Sequence, residues 1–270
     1  MAWQDRYPFA YHVFPLHLAR DISEGRALLS KKQRAASGKA LARPTTAAVD
    51  AALGFDDVVH FYLPKAGTLI SDLPILRTQL QPALEPPFPH AVFRIPTTFL
   101  RKRFFVCCWN IAVSRPQSNA AGVKGGNWAR GTSAERIAGV WDAFREERPD
   151  VAQARGYWFD GKRVPLLSAD QVETNRALLR LPKGGPELLV ESRVVLEPPI
   201  SVVTFCDHDQ KLLERSGISK SGIVIHRERF PGYGDHLDAT AATYTRIERY
   251  LAGDRTVALD FDRVRRSRPR

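Results

Sequence analysis

Short runs of large apolar residues, cut by proline and glycine, recur along the chain and predict strands. Tyr11-His12-Val13-Phe14, ended by Pro15, is the first. Val58 to Leu63, stopped by Pro64, is the second, followed by Ala91 to Ile95 and by Phe104 to Val113. A further strand opens after the Gly184-Gly185-Pro186 break and runs from Glu187 through Leu196. Ile200 to Cys206 and a last inner strand, Ile223-Val224-Ile225, complete the set. Helical spacing is found in four other places. Leu18, Ile22, Ala27 and Leu28 predict a helix over Leu16 to Ser30, weakened by Gly25. Ile137, Val140, Trp141 and Phe144 predict one from about Ser133, its N-cap, to Arg148. A short helix is expected over Asp209 to Arg215, and a longer one from Asp235 to Leu251 with Leu237, Ala241, Tyr244, Ile247 and Leu251 as its buried stripe.

The remaining segments lack either period. Lys31 to Val49 is basic and rich in small residues, and Asn119 to Gly131 is rich in Gly and Asn, so both are expected to be loops. The proline-dense stretch from 80 to 90 predicts an irregular connection. Val151 to Lys183 is mixed. No internal repeat or linker is visible. Strands and helices intermixed in this way predict one α+β domain over residues 1–262, followed by a basic tail, 263–270.

Composition adds a partner class. The chain has 270 residues, 44% hydrophobic and 26% charged, enough to bury a core. Its net charge is +11, of which five arginines lie in 263–270, leaving the body at +6. Both parts are basic, which favours a polyanion, most simply nucleic acid. No apolar run is long enough to span a bilayer, and Met1 to Arg6 has no signal-peptide pattern, so a cytoplasmic protein without membrane association is expected. Cys107, Cys108 and Cys206 lie in apolar runs without C-x-x-C spacing, which predicts buried reduced thiols and no zinc site.

Three polar residues stand out against apolar surroundings. His12 lies inside the first strand, Arg43 in the basic loop, and Glu187 where a Gly-rich loop becomes a strand. A carboxylate fixed at such a junction can stabilise a developing positive charge. A histidine in a strand is commonly a satisfied core residue, and a strand-end glutamate is commonly solvated.

Several islands nevertheless share an order. Tyr11-His12-Val13 with Leu18, Ile22, Gly25 and Leu28, then Asp57 to Pro64 (DVVHFYLP), Gly156-Tyr157-Trp158, Pro186-Glu187-Leu188-Leu189-Val190 and Ile200 to Cys206 are similar to successive blocks of one family. The chain resembles the DarT family, NAD-dependent ADP-ribosyltransferases that modify bases in single-stranded DNA. The resemblance samples residues 10 to 226 and implies an ADP-ribosyltransferase fold of split antiparallel β-sheets flanked by helices. It implies NAD as the substrate, with no metal, and Glu187 as the catalytic carboxylate. His12 and the Val13 backbone would lie at the nicotinamide ribose, with Tyr62 stacked on the nicotinamide or buried as a core aromatic. Arg43 would hold the NAD phosphate and assist proton removal from the base, with Arg34 as the alternative. The family also implies a macrodomain antitoxin as partner, and a monomer is expected.

The sequence departs from the family at Val59-His60-Phe61-Tyr62-Leu63, where the pattern is V-P-F-Y-F, and in the insert from Asn119 to Arg130. Such loops choose the base, so thymine and guanine both stay open. Arg101, Lys102, Arg103, Lys124, Arg130 and the tail suit a groove that tracks phosphates, with Trp109, Trp128 or Trp158 as stacking platforms. Two other readings compete. Glu187, Glu191 and Arg193, if on one continuous strand, share a face and resemble part of a metal-dependent nuclease site. A nucleic-acid-binding protein without catalysis is the third.

Overall fold

A computed structural model describes residues 3–39, 56–70, 89–100, 104–107, 157–159, 162–164, 166–167, 187–230, 237–254 and 256–257. The chain forms an α+β structure whose described strand pairs are antiparallel with one exception. It divides into two compact units, Met1–His12, Ala27–Thr68 and Ile95–Val195 in the first, Val13–Arg26, Leu69–Arg94 and Leu196–Arg270 in the second. No helix among the described residues is long and apolar enough to cross a membrane.

In the first unit a helical turn, α1 (Trp3–Arg6), leads into β1 (Phe9–Pro15), whose C-terminal residues pass to the second unit. Its approach is pinned by Thr97, whose hydroxyl donates to the Tyr7 carbonyl at 2.7 Å and whose N–H donates to that of Pro8 at 3.0 Å. β2 (Ala27–Leu29), α3 (Lys31–Ala36), β3 (Val58–Tyr62), β5 (Phe104–Cys107), β6 (Tyr157–Phe159), β7 (Lys162–Val164), β8 (Leu166–Leu167), β9 (Glu187–Glu191) and β10 (Arg193–Val195) follow. Strand order is β1-β3-β9-β5-β8, with two small pairs, β10-β2 and β6-β7, apart from it. β9 is therefore a central strand, paired on both sides. That position explains its continuous apolar run, since Leu188, Leu189 and Val190 are all sealed from water.

The second unit contains a single turn (Leu16–Leu18), α2 (Ala19–Gly25), β4 (His90–Pro96), β11 (Ser201–Thr204), α4 (Asp207–Ser216), β12 (Val224–Arg227) and α5 (Leu237–Leu251). β11 is wholly buried between antiparallel β4 and parallel β12. The parallel pair needs a crossover, and α4 supplies it. Gly217 ends that helix at φ 85°, a left-handed conformation that glycine adopts without strain. Phe14 stacks on Phe93 at 4.6 Å beneath these elements.

Four expectations change. The segment from Leu16 to Ser30 is not one helix: α2 stops at Gly25, Arg26 takes φ 47°, and Ala27–Leu29 pairs as a strand with β10. The basic segment after it begins as helix α3 rather than loop, because Ser30 caps it by accepting from the Gln33 N–H at 3.1 Å. The strand from Glu187 to Leu196 breaks at Ser192, which sits at φ 59°. Its strain, of the order of 1–2 kcal/mol, is offset by two backbone bonds, from its N–H to the Asp57 carbonyl and from the Ser30 N–H to its own carbonyl. β12, expected inside, is an edge strand with Val224 exposed. The helix expected near 133–148 and the segment from 119 to 131 lie outside the described residues.

Candidate active site

Side chains alternate across a strand, so the register of β9 decides which of its residues share a face. Glu187 pairs with Tyr62, Leu189 with His60 and Glu191 with Val58. Tyr62 in turn pairs with Tyr11 of β1. One face thus carries Tyr11, Tyr62, Glu187 and, diagonally from Glu187, His60.

Glu187 is 2% exposed. Burying an ionised carboxylate is costly unless donors are supplied. Here His60 Nδ1 lies 3.0 Å from Glu187 Oε1. An ionised carboxylate only accepts, so the bond places the proton on Nδ1, and a neutral ring then keeps its basic lone pair on Nε2. A hydrogen bond to a charged group contributes about 1.5–3 kcal/mol. The His60 side chain is 20% exposed, so the pair joins a sealed carboxylate to a ring that water reaches.

His12 lies elsewhere. With Tyr11 opposite Tyr62, the next residues along the ladder set His12 beside Phe61, and their rings meet at 5.5 Å on the other face of the sheet. Its Nδ1 is 2.8 Å from the His60 carbonyl oxygen and donates to it. The structure thus brings Tyr62 to Glu187 but turns the His12 side chain away, while Val13 is half-buried. Arg34 is buried on α3. That helix starts beside Ser192 and Asp57, where the Ser30 hydroxyl donates to Asp57 Oδ1 at 2.9 Å. This is the Glu191 end of β9, about 13 Å along the strand from Glu187. Arg43, Arg101, Lys102, Arg103, Lys124, Arg130, Trp109, Trp128 and the tail lie outside the described residues, and of Trp158 only the backbone, in β6, is described.

The trio expected of a nuclease does not share a strand. Ser192 turns the chain, and Arg193 pairs with Leu29 in the separate β10-β2 ladder. Among the described residues no three His, Cys, Asp or Glu side chains are grouped to hold a metal ion.

Sequence reasoning singled out His60 only as a departure from a family pattern. The signal was a histidine at alternate spacing from Tyr62 in an apolar strand, but its meaning depended on a partner at 187. Tyr11 entered only as part of the Tyr11-His12-Val13 island, with no role of its own.

A second polar cluster occupies the other unit. Asp209, fully buried in the first turn of α4, accepts from the Tyr244 hydroxyl of α5 at 2.8 Å. Cys206 is the N-cap of α4, its sulfur accepting from the Asp209 N–H at 3.5 Å. It is a free, half-buried cysteine. Burial, and then the Asp209 charge, push its thiol from the ordinary 9.0 up to about 11. His208 meets the Tyr244 ring edge-on at 4.2 Å.

No protein-family model matches the chain, and no curated protein matches it. Among solved structures, DarT of Thermus sp. 2.9 in complex with NAD+ is similar at 11% identity and TM-score 0.41, over 83% of this chain and 96% of that one. DarT of Thermus sp. 2.9 in complex with ADP-ribosylated single-stranded DNA is similar at 14% identity and TM-score 0.43, over 83% and 95%. DarTG of Thermosipho africanus in complex with ADP-ribose is similar at 12% identity and TM-score 0.43, over 82% of this chain and 50% of that one.

Proposed function

We propose that the chain is an NAD-dependent ADP-ribosyltransferase that moves ADP-ribose from NAD onto a base of single-stranded DNA and releases nicotinamide. The observation that supports this most is the placement of Glu187, a sealed carboxylate at the entry of a central strand, bonded to an imidazole that water reaches. It coincides with the position that the DarT-like motifs assign to the catalytic acid. NAD+ and ADP-ribosylated single-stranded DNA, the ligands of the similar DarT structures, are the substrate and product assigned here.

As the bond from ribose to nicotinamide loosens, the sugar becomes oxocarbenium-like. A fixed anion beside it gains strength in that state more than in the bound substrate, and this difference is what lowers the barrier. Pairing on both sides holds Glu187 in place, so little reorganisation is required when the charge develops. The face that carries Tyr11 and Tyr62 receives the nicotinamide ribose. His12 fixes β3 through the His60 carbonyl. Arg43, with Arg34 as the alternative, holds the NAD phosphates and assists removal of the proton from the base. Arg101, Lys102, Arg103, Lys124, Arg130 and the tail track the DNA backbone. Residues 1–262 act as one transferase domain in a cytoplasmic monomer, and a macrodomain antitoxin is the partner.

The test is transfer of label from adenylate-labelled NAD to single-stranded oligonucleotides, one of each base, in EDTA. Label on one oligonucleotide supports the reading and names the base. Absence of label on all four, with cleavage on restoring Mg²⁺, replaces it with nuclease action.

A further inference from the structure

A glutamate reaches its carboxylate through several rotatable bonds, so a rigid strand fixes where Glu187 starts and leaves open where its oxygens point. Chemistry at the ribose depends on that second quantity, because an anion stabilises the forming cation only when it is aimed at it. The residues that follow Glu187 in β9, Leu188, Leu189 and Val190, are buried and apolar and offer it no side-chain donor. The strand beside it does.

We infer that His60 is a positioning residue for Glu187, its Nδ1–H holding Oε1 and keeping the carboxylate aimed at the ribose as the bond to nicotinamide breaks. The inference rests on the transferase reading above. Three observations carry it. His60 Nδ1 lies 3.0 Å from Glu187 Oε1, and an ionised carboxylate accepts such a bond. Register sets His60 opposite Leu189 and Tyr62 opposite Glu187, so His60 stands diagonally across the ladder on the Glu187 face, a span that a long side chain closes. His60 is itself held, because the His12 ring donates to its carbonyl oxygen at 2.8 Å. Tyr11 opposite Tyr62 joins the same two strands two residues further along β3. β1 thus anchors the backbone of His60, and the His60 side chain carries that anchorage across to Glu187.

The role requires no proton transfer. The ribose–nicotinamide bond breaks and its electron pair leaves with nicotinamide, whose ring nitrogen becomes neutral. Removal of the acceptor's proton stays with the loop arginine named above. His60 acts on the bond-breaking event through the orientation of Glu187, and not on the binding of NAD. An interaction of that kind changes kcat and leaves KM in place. It also disappears when the carboxylate that it acts on is gone. A histidine that only completes the strand would show neither property.

Those two properties give the experiment. Nicotinamide release with single-stranded DNA present is measured against NAD concentration for wild type, His60→Leu, His60→Asn, Glu187→Gln and the double variant of His60→Leu with Glu187→Gln. Each protein is shown to be folded by its melting curve. His60→Leu, which keeps bulk and lacks a donor, should lower kcat about 10-fold to 100-fold with KM for NAD within about 2-fold of wild type. His60→Asn, whose side-chain amide donates near the Nδ1 position, should restore kcat to within about 5-fold of wild type. In the Glu187→Gln background, His60→Leu should cost less than about 2-fold further. His60→Thr, suited to a strand and too short to reach Glu187, replaces His60→Leu if that variant does not fold. Full kcat in His60→Leu, a rise in KM alone, His60→Asn as slow as His60→Leu, or additive losses in the double variant overturns the inference. A wild type that neither releases nicotinamide nor labels DNA overturns the transferase reading itself. Glu187→Gln at the full wild-type rate removes the carboxylate that His60 is inferred to hold, and the inference with it.

Discussion

Glu187 and Asp209 are both carboxylates sealed from water, one in each unit, and they are held by different kinds of partner. Asp209 sits in the first turn of α4, where the helix N-terminus favours an anion, and takes a bond from the Tyr244 phenol. A phenol stays protonated through the neutral range, so the bond is static, and it ties α5 to α4. Glu187 stands instead at the start of a sheet strand. Its partner His60 is an imidazole, a ring whose two nitrogens can each donate or accept, and its side chain is open to water. Burial alone therefore does not mark a functional carboxylate. The chemistry of what holds it separates a fastening from a reactive group.

The comparison is broken most forcefully at Glu187. Glu187→Gln is expected to lower transfer at least about 100-fold while its melting temperature stays within roughly 4 °C of wild type. A collapse of both would make Glu187 a fastening like Asp209. Tyr244→Phe should do the converse. Leaving the Asp209 carboxylate without its donor costs about 1–3 kcal/mol, read by denaturant unfolding, with transfer per folded molecule unchanged. Loss of transfer at full stability would erase the contrast.

The sheet strands were legible because each is an apolar run between breakers: Val58–Tyr62 before Pro64, His90–Pro96 and Ser201–Thr204 all fall where the sequence places them. What was illegible depends on partners distant in the chain. Ala27–Leu29 becomes a strand through Arg193–Val195, and three residues carry too little pattern to announce it. Ser192 turns because the Asp57 and Ser30 backbones bond it, and neither is near in sequence. The same holds for the site. Glu187 was visible from its junction and motif, whereas His60 gains its meaning only from the β3–β9 register, which no local spacing encodes.

Two smaller effects sharpen the picture. Deleting Arg263 to Arg270 should make the salt dependence of single-stranded DNA binding shallower, by about 0.7 in log–log slope for each phosphate that the tail neutralises. An unchanged slope would remove the tail from the interface. Cys206 should resist alkylation at neutral pH, as mapped by mass spectrometry, and react only as pH approaches about 11. Its folded value lies above the ordinary one, so the folded state holds the proton more tightly. The associated stability is complete below pH 9.0 and is lost as pH rises from there to about 11. Ready alkylation of Cys206 at neutral pH would show that the Asp209 cluster is open rather than sealed.

The most direct measurement compares wild type and Glu187→Gln for transfer of label from NAD to single-stranded DNA in EDTA, with both proteins shown to be folded. Label on DNA from wild type and none from the variant is the predicted result. Equal labelling by the two would contradict the assignment of Glu187 as the carboxylate that drives the reaction.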